Sequence, residues 1–96
     1  MTLQFSRKAR VQFLAALDFM RGRSPAAAER FRRRAEQSLR RLLKFPASGA
    51  IIEEYPDQPY REVLSSPYRF FYRTEGEAVI IIAIWHTSQI PDEPTG

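Results

Sequence analysis

The chain of 96 residues has no cysteine, one histidine, one tryptophan and four scattered glycines. Without cysteine there is no disulfide scaffold, no thiolate zinc site and no thiol nucleophile, and the composition is compatible with a reducing compartment. With His86 as the single histidine, a histidine-pair metal site is excluded, and no His, Asp and Glu cluster at ligand spacing replaces it. No metal and no cofactor are expected. The glycines do not gather into a phosphate-cradling loop, so nucleotide triphosphate chemistry is not expected either. Long apolar runs are also missing. The longest, Ala78 to Trp85, is eight residues, against about 20 for a membrane helix. The N-terminus alternates polar and apolar residues and then turns basic, without the apolar core of a secretion signal. The expected location is the cytoplasm, with no membrane partner.

What the chain does have is one domain's worth of apolar residues and a divided charge. Hydrophobic residues make up 44%, charged residues 27% and aromatics 12%, which is neither disordered nor fibrous. A chain of this length buries roughly 65% of its unfolded surface, enough for one thin core and not for a cleft between two domains. Residues 1–50 carry twelve Lys and Arg against three acids, a net +9, whereas residues 51–96 carry three Arg against eight acids, a net −5. Such a division suits a basic surface offered to an acidic partner, protein or nucleic acid, or simply a solvated helical face.

Periodicity divides the chain in the same place. Thr2 to Phe5 alternates as a half-buried strand does. Ser6 can cap a helix in which Ala9, Phe13, Ala16, Leu17 and Met20 recur at helical spacing to about Arg21, with Gly22 ending it. Ser24 followed by Pro25 opens a second helix, whose stripe is Ala28, Phe31, Ala35, Leu39 and Leu42. That helix stops before Phe45-Pro46. Ala50 to Tyr55 reads as a short strand or an extended loop. Tyr60 to Leu64, Tyr68 to Arg73 and Ala78 to His86 are rich in β-branched and aromatic residues and read as an antiparallel meander. The last of them is apolar at both parities, which suits a central strand covered on both faces. A single domain is expected over residues 1–90, and Pro91 to Gly96 is expected to form an exposed tail. Helices and strands that segregate in this way predict an α+β fold, a helical hairpin packed on a mostly antiparallel sheet.

The candidate functional residues lie in the strands. Arg69 and Arg73 share one strand face with Phe71, while Tyr68, Phe70 and Tyr72 share the other. Arg61, on the neighbouring strand, is expected to join the two arginines. Guanidinium groups fixed beside aromatic rings can hold phosphates or a partner's carboxylates, or can simply pair with Glu62 or Glu75. The run Arg32-Arg33-Arg34 points around more than half of its helix and is not by itself a groove-reading element. His86, at the end of an apolar strand, suits either a structural hydrogen bond or catalysis.

Read in order, these pieces resemble the RelE/ParE superfamily of type II toxin-antitoxin toxins over nearly the whole chain. The resemblance rests on the opening strand and helix, Ser24-Pro25-Ala26-Ala27-Ala28, Leu42 followed by Pro46 and Gly49, and Tyr60-Arg61-Glu62-Val63. It continues through Pro67-Tyr68-Arg69-Phe70-Phe71-Tyr72-Arg73, Gly76-Glu77 and Ile84-Trp85-His86. It implies the same helical hairpin on an antiparallel sheet, a cognate antitoxin as partner and a toxin-antitoxin hetero-oligomer. RelE-like members cut mRNA on the ribosome, with basic groups around the scissile phosphate; ParE-like members inhibit DNA gyrase. Arg69 matches an arginine of the nucleases. Tyr60 and Glu62, however, stand where they place lysines, and Ser88 and the Pro-rich tail stand where they carry an arginine and a tyrosine. The resemblance therefore favours a ParE-like gyrase inhibitor with Arg61, Arg69, Arg73, Trp85 and His86 contacting target or partner. The alternatives are a ribosome-dependent endoribonuclease using Arg61, Arg69 and His86, and a non-toxic relative that only binds an antitoxin.

Overall fold

Two serines set the limits of the helices. In the computed structural model, which describes residues 1–95, Ser6 Oγ accepts the Ala9 N–H at 3.1 Å and Ser24 Oγ accepts the Ala27 N–H at 3.2 Å. These are N-cap bonds to amides left without helical partners. They open α1 (Arg7–Arg23) and α2 (Pro25–Lys44). Gly22 does not end α1. The helix runs through it, and the Ser24 N–H closes the last turn on Met20 O at 2.8 Å. Ser24 leaves the helix in extended conformation, φ −159° and ψ 111°, so no left-handed residue is needed there. One residue ends the first helix and starts the second.

The strands are β1 (Thr2–Phe5), β2 (Ala50–Ile51), β3 (Arg61–Ser65), β4 (Tyr68–Glu75) and β5 (Ala78–His86). They form one sheet in the order β1-β5-β4-β3-β2, with β1 parallel to β5 and every other pair antiparallel. The segment Ala50–Tyr55 thus contributes only two residues of strand. β3 and β4 are joined by Ser66-Pro67, a cis peptide bond, and β4 and β5 by a tight turn in which Gly76 takes φ +55°, a conformation that suits glycine.

A bulge explains why β5 is apolar at both parities. Phe71 faces Ala83 and Tyr72 faces Ile81, which leaves Ile82 as an extra residue and exchanges the faces beyond it. Val79, Ile81 and Ile84 enter the core beneath the helices with Phe31, Leu39, Leu42, Phe70 and Tyr72, and α2 supplies its whole predicted stripe. Ile82 and Ala83 pack on the opposite face with Ile52 and Phe71, bordered by Tyr55, Tyr60, Ile80 and Trp85. A loop and the C-terminal segment cover this second face. The tail combines seated and exposed residues. Pro91 and Pro94 are buried, the Tyr55 hydroxyl donates to Pro91 O at 2.9 Å, and Gln58 donates to Glu93 at 2.9 Å. Its other described residues, Asp92, Glu93 and Thr95, are exposed, and Gly96 lies outside the described residues. The physical reason is the outward apolar face of β4 and β5, which an antiparallel sheet with helices on one side leaves to be covered.

Tyr72 ties the α2–β2 connection to the sheet. Its buried hydroxyl donates to Pro46 O at 2.6 Å and accepts the Gly49 N–H at 2.9 Å. Burial pushes the phenol pKa up, with the Gly49 hydrogen bond and the Arg61 charge acting the other way. Gly49 has no room for a side chain, since a Cβ there would lie 2.4 Å from the Tyr72 hydroxyl oxygen and 2.8 Å from Glu62 O. Tyr72→Phe leaves a buried N–H and a carbonyl without that partner, and is expected to lower stability by about 1–3 kcal/mol. Urea unfolding checks this, and a loss below 0.5 kcal/mol (roughly the noise of a surface substitution) would show that the clamp is dispensable. No helix among the described residues is long and apolar enough to cross a membrane.

Candidate partner-binding site

The strand register distributes the five residues singled out by the sequence over two faces and three places. Arg69 lies on the outward face of β4, opposite Trp85 on β5 and Leu64 on β3. It is not free to meet a phosphate. Nε and Nη2 donate to both oxygens of Glu62 at 2.9 and 2.7 Å, and Nη1 and Nη2 donate to both oxygens of Glu54 at 2.8 and 2.6 Å. The guanidinium also stacks 5.2 Å from the Phe71 ring centre. Paired forks of this kind are strong and directional. Together they raise the Arg69 pKa and hold the Glu54 carboxyl below its ordinary value, the hydrogen bond from Arg69 being the chief cause. The cluster carries one net negative charge and fastens the β2–β3 loop to the sheet.

Arg61 does not join Arg69. It stands opposite Tyr72, a helix-side residue, and therefore projects from the other face. Its Nη1 donates to Gly49 O at 2.9 Å. Arg73 keeps the outward parity expected of it and pairs along its own strand with Glu75. His86 lies opposite Tyr68, its ring edge-on to the tyrosine at 5.3 Å. Its Nδ1 accepts the Ser88 N–H at 3.0 Å, and the Ser88 hydroxyl lies 2.7 Å away. That places the proton of the neutral ring on Nε2. Arg61 and His86 are separated by the four strand positions from Tyr72 to Tyr68, roughly 13 Å along the sheet at 3.3 Å per residue. Arg61, Arg69 and His86 thus do not converge on one point. Trp85 is half-buried beside Lys8, whose Nζ sits 5.5 Å from the ring centre, and its buried indole N–H has no hydrogen-bond partner among the described residues.

A different surface was hidden from residue-by-residue reading. At the open edge of β1, Leu3, Phe5, Phe13, Leu14 and Leu39 line a groove of about 390 Å³, flanked by Arg10, Arg40 and Glu36. On α1, Val11, Leu14 and Phe19 are more than half exposed, at 63%, 55% and 62%; Leu14 belongs to this groove, whereas Phe19 borders a separate cleft with Tyr68 and Trp85. The signal was present in the sequence, because these residues fall outside the buried stripe of α1 and make that helix apolar on a second side. Of the α2 arginines, Arg40 flanks the groove, and Arg41 lines a separate cleft beside Gly49 and Val63. Arg32 is held by Glu29 and Glu36 at 2.5 and 2.6 Å, Arg34 reaches Ser66 O at 3.2 Å, and Arg30, Arg33, Arg40 and Arg41 are exposed.

Residues 3–91 match the family model described as the ParE toxin of the type II toxin-antitoxin system, parDE. The chain belongs to the ParE toxin family. No curated protein sequence matches it. Among solved structures, the chromosomal ParDE TA system from P. aeruginosa superimposes with a TM-score of 0.72 at 21% identity, covering 90% of this chain and 95% of the other. At that identity the likeness is one of fold: a strand, a helical hairpin and a mixed sheet. Within the ParE family frame, the residues that organise the sheet here are Arg69, Glu54, Glu62 and Tyr72. An unfilled apolar groove lies at the β1 edge, lined by Leu3, Phe5 and Leu14.

Proposed function

We propose that this ParE-family protein is a toxin that inhibits DNA gyrase by binding it, and that a cognate antitoxin silences it by covering the β1-edge groove and the basic hairpin. The observation that carries the target reading is the state of the strand residues. A phosphodiester cutter needs cationic and proton-transferring groups gathered at the scissile phosphate. Here Arg69 is committed to two carboxylates, while Arg61 and His86 lie on the other face and far apart. What the molecule offers instead is surface. Induced expression tests this directly. Gyrase inhibition predicts double-strand DNA breaks, an SOS response and loss of supercoiling activity by purified gyrase. Cleaved message in purified ribosomes, with gyrase unaffected, would overturn the reading in favour of a ribonuclease. No growth defect at all would leave only antitoxin binding.

The antitoxin reading is supported by the groove and its charge. An apolar cleft rimmed by Arg10 and Arg40, on a half of the chain with net charge +9, suits an amphipathic segment with acidic flanks. Opposite charges steer encounter, and salt screens them beyond about 8 Å at physiological strength. Raising salt from 0.05 to 0.5 M is therefore expected to slow association by about tenfold or more while changing dissociation little. Stopped-flow mixing of toxin with antitoxin measures both rates. An association rate independent of salt would show that the basic face is not the docking surface.

A further inference from the structure

We propose that the outward face of α2 is a docking surface for duplex DNA, laid along the major groove and held by the phosphate backbone rather than by base sequence. The burial pattern of the helix creates the surface. Between Arg30 and Lys44 the exposed positions are Arg30, Arg33, Arg34, Arg40, Arg41 and Lys44, with Gln37 the one neutral residue among them. No apolar side chain is exposed in that stretch, and its one acid, Glu36, is half-buried and paired with Arg32. At about 100° per residue the exposed positions fall within an arc of about 120°, opposite the buried stripe of Phe31, Ala35 and Leu42, and span about 21 Å of helix axis. The run Arg32-Arg33-Arg34 divides accordingly. Arg32 turns to Glu29 and Glu36, at 2.5 and 2.6 Å, and leaves the face to its neighbours.

The charge of this face is left largely uncompensated. Elsewhere carboxylates hold the arginines: Asp18 holds Arg21, and Glu54 and Glu62 hold Arg69. On the α2 face, Arg33 stands 3.7 Å from Glu29, whose oxygens already serve Arg32, and Arg34 gives one of its five N–H donors to a neutral carbonyl, Ser66 O. Arg30, Arg40, Arg41 and Lys44 make no ion pair among the described residues. Arg30 neighbours Arg33 and Arg34 one turn on, and Lys44 neighbours Arg40 and Arg41 one turn back; like charges at these spacings destabilise a helix. An anion lying along the stripe removes that repulsion. The exposed side of α1, by contrast, mixes its cations with Asp18, Val11, Leu14 and Phe19.

The lack of exposed apolar surface decides the kind of anion. A protein partner gathers around an apolar, aromatic core with few charges, and a single nucleic-acid strand stacks its bases on aromatic rings. This face supplies neither, and the exposed ring of Phe45 lies past its end. A duplex backbone needs only a row of cations, because binding releases the counterions condensed on its phosphates. The margins fit two backbones. Arg33 and Arg40 form one edge of the arc and Arg34 and Arg41 the other, and Arg40 and Arg41 accordingly border different clefts, one with Phe5 and one with Val63. A helix about 10–12 Å across matches the B-form major groove, about 12 Å wide, so that the two edges meet the phosphates of opposite walls. The major groove of duplex RNA is too narrow to admit it. The proposal rests on neither the gyrase nor the antitoxin reading.

The test is fluorescence anisotropy of a labelled DNA duplex of about 20 base pairs, titrated with the full chain at salt of about 0.05–0.3 M, where backbone binding is steeply salt-dependent. Duplex RNA of the same sequence, oligothymidylate and polyglutamate serve as comparisons. Duplex DNA is expected to bind tightest, with log Kd rising against log salt at a slope of about 5, from about 0.9 for each of five or six phosphates. Arg30→Gln, Arg41→Gln and Lys44→Gln together should lower that slope by about 3, one for each lost phosphate contact. The matched change Arg7→Gln, Lys8→Gln and Arg23→Gln on α1 removes equal charge and should leave the slope within about 1 of its starting value. All six residues are exposed, and urea unfolding checks that both variants fold. Arg33→Gln with Arg40→Gln gives a second α2 variant, with an expected fall of about 2. Equal losses from the α1 and α2 variants, binding of polyglutamate as tight as that of DNA, or tighter binding of duplex RNA or oligothymidylate would each overturn the proposal.

Discussion

Replacing Arg69 by alanine is expected to lower the unfolding free energy by about 2–3 kcal/mol, below the 3–5 kcal/mol of a fully buried ion pair because Glu54 regains water. The Arg69 side chain is 13% exposed, and its partners Glu62 and Glu54 are 15% and 37% exposed. Losing the cation strands Glu62 between strands with like charge nearby, so most of the effect is the cost of an uncompensated carboxylate. For a domain this size the midpoint should fall by roughly 10–20 °C. Thermal and urea unfolding measure it, and Glu62→Gln added to Arg69→Ala should restore part of the loss. A double variant no more stable than Arg69→Ala would show that charge is not the cause. The acid limb gives an independent check. The Glu54 carboxyl is held below its ordinary value of 4.5, so its contribution is complete above pH 4.5 and is lost as pH falls through the depressed folded value. Arg69→Ala removes the cause of that depression, and the corresponding part of the acid destabilisation should disappear with it.

Phe31→Ala is expected to cost more, about 3–5 kcal/mol, the range for deleting a buried aromatic side chain. Phe31 is 1% exposed and is the point where α2 meets both α1 and the sheet. Its ring centre lies 6.2 Å from Phe13, 6.4 Å from Phe70 and 5.4 Å from Tyr68. Phe13 in turn meets Phe5 at 5.6 Å and Phe70 at 5.8 Å, and Tyr68 meets His86 at 5.3 Å. The rings thus run continuously from the first strand to the last residue of β5, and a void at Phe31 interrupts that run in the middle. With a total stability of about 5–15 kcal/mol for ordinary domains, this loss leaves a substantial unfolded population at 37 °C. Phe31→Leu, closer in volume, should lose no more than about 1.5 kcal/mol. Equal losses for the two variants in urea unfolding would show that ring contacts rather than filled volume dominate at this position.

Both residues show how far the sequence could be read. Phe31 was placed in the core by spacing alone, because Ala28, Phe31, Ala35, Leu39 and Leu42 recur at the helical period. The parity that separates Arg69 from Phe70 was equally plain. Neither spacing nor parity could name Glu54, which lies 15 residues from Arg69 in an irregular loop. The candidate site fared similarly. Glu62 is a foreseeable partner for Arg69, but the strand pattern does not fix the face of Arg61, because its pairing with Tyr72 is a matter of register. A slip of one residue exchanges the faces of a whole strand.

The sequence by itself determined the helix boundaries at Ser6 and Ser24, the buried stripe of α2, the strand segments and the division of charge between the two halves. These are signals carried within a few residues of one another, where backbone geometry permits only periods of 3.6 and 2. Tertiary structure alone decided the parallel pairing of β1 with β5, the bulge at Ile82 and the seat of Pro91. Each of those depends on which distant segments meet, and local periodicity holds no record of that choice.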